Sequence, residues 1–333
     1  MRLVLRITLA AGLMLSSWLT PAFAAEPPGA AATTAAADAA RRGLAEDAKC
    51  TRCHDESESM PILSIYQTAH GVHGDGRTPT CQSCHGASEK HLAGNQGTGR
   101  PRPDVVFNKH TFPVSEAGDR SAPCAACHKG TQRSHWEGSA HEAGGVACND
   151  CHKVHEPRDK VRERVSQREA CFACHKEQRA DVHKISTHPI DAGKVACSDC
   201  HNPHGSTGPK LLKTASVVDT CLSCHAEKRG PFLWEHQPVN EDCTACHTPH
   251  GSNLSPLLKA RAPFLCDDCH DGPHNSQAPY GPGAGGLQNP NAGFAVTSNR
   301  SPNPSSSAAG RACLNCHAMI HGSNSPAGAF LHR

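Results

Sequence analysis

Residues 146–155 read Val-Ala-Cys-Asn-Asp-Cys-His-Lys-Val-His, and residues 195–204 repeat the pattern as Val-Ala-Cys-Ser-Asp-Cys-His-Asn-Pro-His. Each stretch contains Cys-x-x-Cys-His, the motif to which a c-type haem is attached. Two cysteines on one helical turn can bind the two vinyl groups of a porphyrin, and the adjacent histidine then binds the iron. The sequence has ten such motifs, which use all 20 cysteines, so we predict ten covalently attached c-type haems (haem c, iron).

The motifs define two sets of predicted haem-binding residues. The covalent attachment sites are Cys50, Cys53, Cys81, Cys84, Cys124, Cys127, Cys148, Cys151, Cys171, Cys174, Cys197, Cys200, Cys221, Cys224, Cys243, Cys246, Cys266, Cys269, Cys313 and Cys316. The proximal iron ligands are His54, His85, His128, His152, His175, His201, His225, His247, His270 and His317. Disulfides or zinc sites are the alternative explanation for Cys-x-x-Cys pairs. Histidine accounts for only 25 of 333 residues, so its presence after all ten pairs favours haem.

A second histidine for each iron is predicted from an internal repeat of two motifs. Alternate motifs are flanked by histidines on both sides, as with His141 before and His155 after the motif 148–152. The distal ligands predicted in this way, completed by one histidine after each of the last two motifs, are His70, His91, His141, His155, His188, His204, His236, His250, His274 and His321. Methionine is the alternative distal ligand, and beyond residue 24 it occurs only as Met60 and Met319.

Five further histidines lie outside the motifs and are expected at the surface or against haem propionates. They are His73, His110, His135, His183 and His332. His73 is an alternative to His70 as a ligand, and His183 is an alternative to the downstream His188. A histidine three residues after its own proximal ligand is badly placed for the opposite face of that haem. We therefore expect His155, His204 and His250 to serve neighbouring irons.

Composition predicts a fold built around the haems. Aromatic residues make up only 4% of the chain, too few for the core of an ordinary domain of this length. We predict an elongated multihaem cytochrome c fold, mostly irregular, with short α-helices and little or no β-structure. Short helices are expected at 160–170, 213–220 and 256–265, each leading into a motif. Because the haems would supply the apolar surface, the haem-free chain is not expected to fold.

The N-terminal residues predict export. Arg2 and Arg6 precede an apolar run over 7–19, and residues 22–24 (Ala-Phe-Ala) fit the cleavage rule of a secretory signal peptide at 1–24. An uncleaved anchor is the alternative, although the run is shorter than the roughly 20 residues of a spanning helix. Residues 25–45 are rich in Ala and Pro and are expected to be a flexible linker with some helix near 37–45. Gly, Pro, Asn and Ser dominate 275–310, which is interpreted as a long loop or a disordered segment.

The charge balance excludes nucleic acid as an expected partner. The chain has 33 Lys and Arg against 31 Asp and Glu, a formal net charge of +2. Each haem would add two propionates, so the protein with its haems is expected to be acidic.

Several runs resemble one family. They are Cys-Ser-Asp-Cys-His-Asn-Pro-His-Gly-Ser at 197–206, Cys-His-Ala-Glu-Lys-Arg-Gly-Pro at 224–231, Leu-Trp-Glu-His at 233–236, Cys-Leu-Asn-Cys-His at 313–317 and His-Gly-Ser at 321–323. With the motif count and the export signal, they make the chain similar to the MtrA-type decahaem c-type cytochromes, which include the DmsE, PioA and MtoA types. The resemblance covers roughly residues 48–333.

This resemblance implies two tandem pentahaem halves, at 46–183 and 184–333, with every iron ligated by two histidines. It also implies a location in the periplasm, associated with the outer membrane, inside a porin-like β-barrel. Members carry electrons between periplasmic or inner-membrane cytochromes and extracellular acceptors or donors, in metal reduction or iron oxidation. An outer-surface multihaem cytochrome or extracellular reductase is often a further partner.

Two other functions fit the sequence. One is a soluble periplasmic electron shuttle with no barrel partner. The other is a multihaem reductase, which would need an iron with an open coordination position. Because there are histidines enough for two at each haem, we expect an electron carrier with no catalytic residues and not an enzyme. The direction of electron flow is open at this stage.

Overall fold

The computed structural model describes residues 30–58, 60–72, 77–94, 97, 99–108, 111–270, 313–315, 317–326 and 328–332. The predicted signal peptide at 1–24 and the predicted loop at 275–310 lie outside these residues. So do Cys316 and three histidines considered above, namely His73, His110 and His274.

Short helices joined by irregular segments make up the described chain. The α-helices are α1 (Ala30–Thr51), α2 (Cys81–His85), α3 (Glu89–Leu92), α4 (Ala117–Cys127), α5 (Ala140–Ala143), α6 (Cys148–Cys151), α7 (Gln167–Phe172), α8 (Lys176–Asp181), α9 (Cys197–Cys200), α10 (Val217–Leu222), α11 (Gln237–Glu241) and α12 (Phe264–Asp267). Single 3₁₀ turns cover Ile62–Gln67, Thr131–Arg133, Lys160–Arg162, Pro209–Leu211, Ala226–Lys228, Cys243–Ala245 and Cys313–Asn315.

Backbone pairing between segments is confined to isolated bridges. The described residues contain no β-strand, only the bridges Ser186–Ser252, His201–Leu212, Trp234–Ser323 and His247–Leu258. The predicted fold class, mostly irregular with short helices and little or no β-structure, is confirmed. No helix in the described part of the chain is both long and apolar enough to cross a lipid bilayer.

Two local expectations differ from the structure. The segment 25–45 was expected to be a flexible linker with helix only near 37–45, but α1 begins at Ala30 and continues into the first motif, because alanine has the highest helix propensity. The helix expected over 256–265 is present only at its end, where α12 begins at Phe264. Pro263 disfavours helical conformation at the residue before it, so the helix starts only after this proline. The other two helices are present in part, as a 3₁₀ turn with α7 and as α10.

The chain itself has almost no apolar core. Among the described residues, the buried hydrophobic side chains are Val106, Ala147, Val182, Ile190 and Ala196. Two of these are alanines, so the polypeptide buries far less apolar surface than a domain of this length normally does. The apolar surface that organises the fold must therefore come from a bound group.

Repeated glycines allow neighbouring segments to approach closely. Gly205 has φ +103°, and a Cβ atom there would lie 1.9 Å from the carbonyl oxygen of His135. Gly251, in the next copy of the repeat, has φ +154°, and its Cβ would lie 1.9 Å from the carbonyl oxygen of Asp181. Both glycines directly follow a predicted distal histidine, so these contacts fix that histidine against an upstream segment.

Candidate haem sites

Each motif forms a local turn that presents its cysteines together. In α6 and α9 the two cysteines begin and end a single helical turn, so both thiols lie on the same face. The Asp150 carboxylate accepts a hydrogen bond from the Ala147 amide at 2.8 Å. Asp199 does the same for the Ala196 amide, also at 2.8 Å. These bonds satisfy the free N–H groups at the helix start and explain why aspartate precedes the second cysteine.

Nine motif histidines face a second histidine. The motifs are numbered here in chain order, and a site is a motif histidine with the histidine that faces it. With ring-centroid distances, sites 1 to 9 are His54 with His91 (6.1 Å), His85 with His155 (6.4 Å), His128 with His70 (5.9 Å), His152 with His204 (6.1 Å), His175 with His141 (6.1 Å), His201 with His250 (6.1 Å), His225 with His188 (6.4 Å), His247 with His321 (6.2 Å) and His270 with His236 (6.0 Å).

The spacing of these rings fits an iron between them. Two imidazoles that share one metal, with metal–nitrogen bonds of about 2 Å, hold their ring centroids roughly 6 Å apart. Direct ring stacking would bring the centroids closer than the 5.9–6.4 Å found here. Within the described residues, no group of three or more His, Cys, Asp or Glu side chains is arranged to hold a metal ion by itself. The residues present therefore fit haem better than a bare metal.

Site 10 is different from the other nine. His317 faces His332, with ring centroids 4.5 Å apart. We expected His332 at the surface and predicted His274 as the distal ligand here, but His274 lies outside the described residues. His332 has no counterpart in the repeat, and only its place near the end of the chain, after the last motif, indicates a role.

The geometry bears on the two alternative ligands. His188, and not His183, faces the histidine of a motif. The His183 ring instead lies 3.5 Å from the Asp191 carboxylate. His70 faces His128, which is the arrangement expected if His70 is the ligand.

The pairing follows a rule along the chain. Motif 6 (197–201) is preceded by His188, which faces the motif histidine of site 7, and is followed by His204, which faces that of site 4. Motifs 4 and 8 behave in the same way. In motifs 4, 6 and 8 the preceding histidine thus serves the next site along the chain, and the following histidine serves the site two motifs earlier. The expectation that His155, His204 and His250 face neighbouring sites agrees with this geometry.

Hydrogen bonds orient the facing histidines. The Nδ1–H of His141 donates to the Pro203 carbonyl at 2.8 Å, and that of His188 donates to the Pro249 carbonyl at 2.8 Å. Each acceptor is the residue just before another facing histidine, so adjacent sites hold each other in place. An Nδ1 that donates to a carbonyl leaves Nε2 as the nitrogen with a free lone pair, which is the form that binds a metal.

Carboxylates and carbonyls orient the motif histidines as well. The Asp159 carboxylate lies 2.6 Å from Nδ1 of His152, and the Lys210 carbonyl accepts from Nδ1 of His201 at 3.0 Å. Burial lowers the pKa of His85, although its bond to the Val105 carbonyl opposes the shift. A lowered pKa keeps His85 neutral at physiological pH, and only neutral imidazole binds iron.

Cysteines from consecutive motifs touch in an alternating pattern. First cysteines are in hydrogen-bond contact between motifs 1 and 2, 3 and 4, 5 and 6, 7 and 8, and 9 and 10; the pairs are Cys50–Cys81, Cys124–Cys148, Cys171–Cys197, Cys221–Cys243 and Cys266–Cys313. Second cysteines interact between motifs 2 and 3, 4 and 5, 6 and 7, and 8 and 9; the pairs are Cys84–Cys127, Cys151–Cys174, Cys200–Cys224 and Cys246–Cys269. The ten sites therefore follow one another in chain order.

One continuous cavity of about 6080 Å³ connects the sites, and motif residues from both ends of the described chain line it. Divided among ten motifs, the volume is about 608 Å³ each, within the roughly 300–1,000 Å³ typical of a cofactor pocket. Attachment turns, paired imidazoles and a shared cavity define a multihaem c-type cytochrome.

Comparison with known proteins identifies the family. Residues 188–230 and 236–275 match the family model described as the doubled CXXCH motif. The chain is 40% identical over 288 residues to the multiheme cytochrome MtrA of Shewanella baltica (strain OS185), which covers 85% of this chain and 80% of that protein. The chain belongs to the MtrA family of multihaem cytochromes, and the resemblance noted from its motifs is confirmed. It is an electron-transfer cytochrome that carries c-type haem.

Proposed function

We propose that the protein binds ten haems, one at each motif, and conducts electrons through them in chain order across the outer membrane. The observation that carries this proposal is that nine motif histidines face a second histidine at a distance that fits an iron between the rings. Haem iron held in this way supplies a one-electron ferric/ferrous couple and no position for a substrate. The proximal and distal ligands would be the nine pairs given above at sites 1 to 9, with His317 and the predicted His274 at site 10, because the His317 and His332 rings are too close for an iron between them.

Order along the row is supported by the cysteine contacts. Each cysteine marks a porphyrin edge, so the contact of Cys124 with Cys148 brings the edges of two haems together. The electrostatic interaction of Cys151 with Cys174 places their motifs next to each other and continues the row on the other side of motif 4. Electrons would pass between neighbours without a mobile carrier, because cysteines of consecutive motifs lie side by side.

Placement within a barrel is supported by the polarity of the chain. Mean hydropathy is −0.51, and most of the described backbone lies outside regular secondary structure. Lipid does not tolerate such backbone unless a closed protein wall surrounds it. We infer a porin-like outer-membrane β-barrel as the partner, with periplasmic or inner-membrane cytochromes at one end and an outer-surface multihaem cytochrome or extracellular reductase at the other. The carrier would act in the periplasm, associated with the outer membrane, in metal reduction or iron oxidation.

Spin state tests the ligation. Electron paramagnetic resonance of the oxidised full-length protein should show only low-spin ferric haem, and haem quantification should give ten haems per chain. A high-spin signal of one haem per chain or more would refute saturated ligation and favour a reductase, in which an iron is open to a substrate.

Reconstitution tests the conduit. The protein should co-purify from outer membranes with a β-barrel, and liposomes containing both should reduce a trapped redox dye when an impermeant reductant is added outside. Liposomes with the barrel alone are the control. If the protein leaves the membrane without a barrel partner and the dye stays oxidised, the protein is a soluble periplasmic shuttle and the proposal fails.

A further inference from the structure

A leucine with a left-handed backbone conformation follows each of motifs 6, 8 and 10. Leu211 has φ +59°, Leu257 has φ +58° and Leu331 has φ +55°. They lie in three short segments, called here the closing turns, at 209–212, 255–258 and 329–332. A positive φ is uncommon outside glycine and is strained for a bulky residue. The same residue type in the same unfavourable conformation at three places points to a shared role.

Hydrogen bonds show what the closing turns do. The carbonyl before each leucine accepts from Nδ1–H of the motif histidine: Lys210 from His201 at 3.0 Å, Pro256 from His247 at 2.9 Å and Phe330 from His317 at 2.6 Å. The carbonyl of each leucine accepts from an amide one or two residues after that histidine: Leu211 from Asn202 at 2.7 Å, Leu257 from Thr248 at 2.8 Å and Leu331 from Met319 at 3.0 Å. Two consecutive carbonyls therefore bind the same motif.

The leucine conformation makes this double contact possible. In an extended chain successive residues point to opposite faces, so two consecutive carbonyls can bind one motif only if the residue between them leaves the extended region. The chain beyond the leucine is tied to the motif as well. The amide of Lys213 donates to the Cys200 carbonyl at 2.8 Å, and the amide of Lys259 donates to the Cys246 carbonyl at 2.9 Å. In motifs 6 and 8 the closing turn is thus fixed on both sides of the leucine.

Motif 4 shows that the attachment motif itself does not require such a turn. Nδ1 of its histidine, His152, lies 2.6 Å from the side chain of Asp159 and not beside a backbone carbonyl. No residue of the segment 153–163, all of which the structure describes, has a positive φ. The left-handed leucine therefore occurs where a backbone carbonyl orients the proximal imidazole.

We propose that Leu211, Leu257 and Leu331 are positioning residues whose left-handed backbone fixes the proximal imidazoles of sites 6, 8 and 10. The inference rests on the proposed attachment of haems at these motifs. A carbonyl that accepts from Nδ1–H fixes the orientation of the ring and makes Nε2 a stronger iron ligand. Hydrogen bonding of this kind is one way in which a protein lowers the potential of a haem.

The side chains of these leucines explain why glycine is absent. Glycine adopts a positive φ without strain, so the backbone alone would favour it. The three leucines line the shared cavity, where an apolar side chain can pack against a haem. Backbone and side chain thus have separate roles, which substitutions can separate.

Substitutions at Leu257 test the backbone role in the full-length protein with its haems. Leu257→Gly permits the closing turn and removes the side chain. Leu257→Ile keeps the side-chain volume, but a β-branched residue disfavours a positive φ. In redox titration, Leu257→Ile should move one tenth of the haem absorbance change to higher potential and alter the g values of one low-spin haem in electron paramagnetic resonance. Leu257→Gly should leave both as in the wild-type protein.

The neighbouring leucine provides the matched control. Leu258 has no positive φ, so Leu258→Ile should change neither the potentials nor the g values. Leu211→Ile and Leu211→Gly repeat the comparison at site 6. If both isoleucine variants fail to assemble while both glycine variants bind ten haems, the turn is required and the inference is supported.

A role of the side chain alone predicts the reverse order. A shifted potential or a lost haem in Leu257→Gly, or an unchanged titration in Leu257→Ile with ten haems bound, would overturn the inference. A wild-type haem count below ten, or high-spin haem in the wild-type protein, would instead refute the proposed function.

Discussion

The two stretches 146–155 and 195–204 have nearly the same sequence and the same local structure, but they are held in place differently. In both, an aspartate accepts the amide of the alanine before the motif, and an arginine from upstream binds that aspartate. The Arg120 side chain is only 10% exposed, whereas Arg164, its counterpart, is 53% exposed. Local sequence thus determines the attachment turn, while the surrounding chain determines how strongly the turn is held.

The stretches also differ just after the motif. His155 is followed by Glu156, and its Nδ1 donates to the carbonyl of Ile62 in an upstream 3₁₀ turn. His204 is followed by Gly205, whose backbone lies directly against that of His135. The later copy therefore depends on glycine at a position where the earlier copy tolerates a long side chain.

The largest effect is expected where the two copies are functionally alike. His204→Ala and His155→Ala should each remove one iron ligand, from site 4 and site 2 respectively. One haem in ten should become high-spin and bind carbon monoxide, which electron paramagnetic resonance and difference spectroscopy would detect. His135→Ala, outside every site, is the control. If spectra stay fully low-spin in both variants, the assignment of facing histidines is wrong.

A large loss of stability is expected at Gly205. Alanine there would place Cβ against the His135 carbonyl oxygen at φ +103°. Strain and overpacking together should cost about 2–5 kcal/mol of unfolding free energy. The matched change, Glu156→Ala, should cost less than about 0.5 kcal/mol, since this side chain is exposed. Urea unfolding followed by circular dichroism measures both, and equal midpoints would contradict the structural difference.

The arginines should differ in the same measurement. Arg120 donates to the Ser115 carbonyl, the Asn149 amide oxygen and the Asp150 carboxylate. The substitution Arg120→Ala should lower the free energy of unfolding by about 2–4 kcal/mol, because buried partners lose their hydrogen bonds. The substitution Arg164→Ala should lower the free energy of unfolding by less than about 1 kcal/mol, since an exposed ion pair contributes little to stability. A larger loss from Arg164→Ala would reverse the comparison.

Salt should reveal the smallest difference. At about 1 M ionic strength the screening length is roughly 3 Å, so the Arg164–Asp199 pair should lose most of its contribution. The Arg120–Asp150 ion pair should keep its contribution to stability at this ionic strength. The stability difference between wild-type and Arg164→Ala protein should therefore approach zero in high salt, while that for Arg120→Ala should change little. If high salt changed both stability differences by the same amount, the two ion pairs would not differ in burial as the structure indicates.

Sequence predicted the class of fold because the motifs are local. Attachment turns such as 148–151 need only two cysteines, a helix-starting aspartate and the next histidine, all adjacent in the chain. The repeat also identified eight of the histidines that face a motif histidine in the structure, and the position of His321 after the last motif identified a ninth. Which histidine faces which motif is a tertiary property, and it was not predictable from spacing.

The misses have physical reasons. His332 carries no repeat signal, so its position beside His317 is visible only in the structure. Asp47 and Arg120 were not identified, since each acts on a motif about thirty residues away and has no sequence pattern of its own. The alanines at 25–45 favour helix, and α1 is longer than the helix expected near 37–45.

The facing of a motif histidine by a histidine from two motifs later has a consequence for biogenesis. In a chain that leaves the secretion channel N-terminus first, His152 emerges well before His204, which faces it. Haem can be ligated on one side as soon as a motif appears, but the centre is completed only after two more motifs have been exported and modified. Several half-finished centres must coexist on each nascent molecule, so a defect in one late motif would leave an earlier, chemically intact one incomplete.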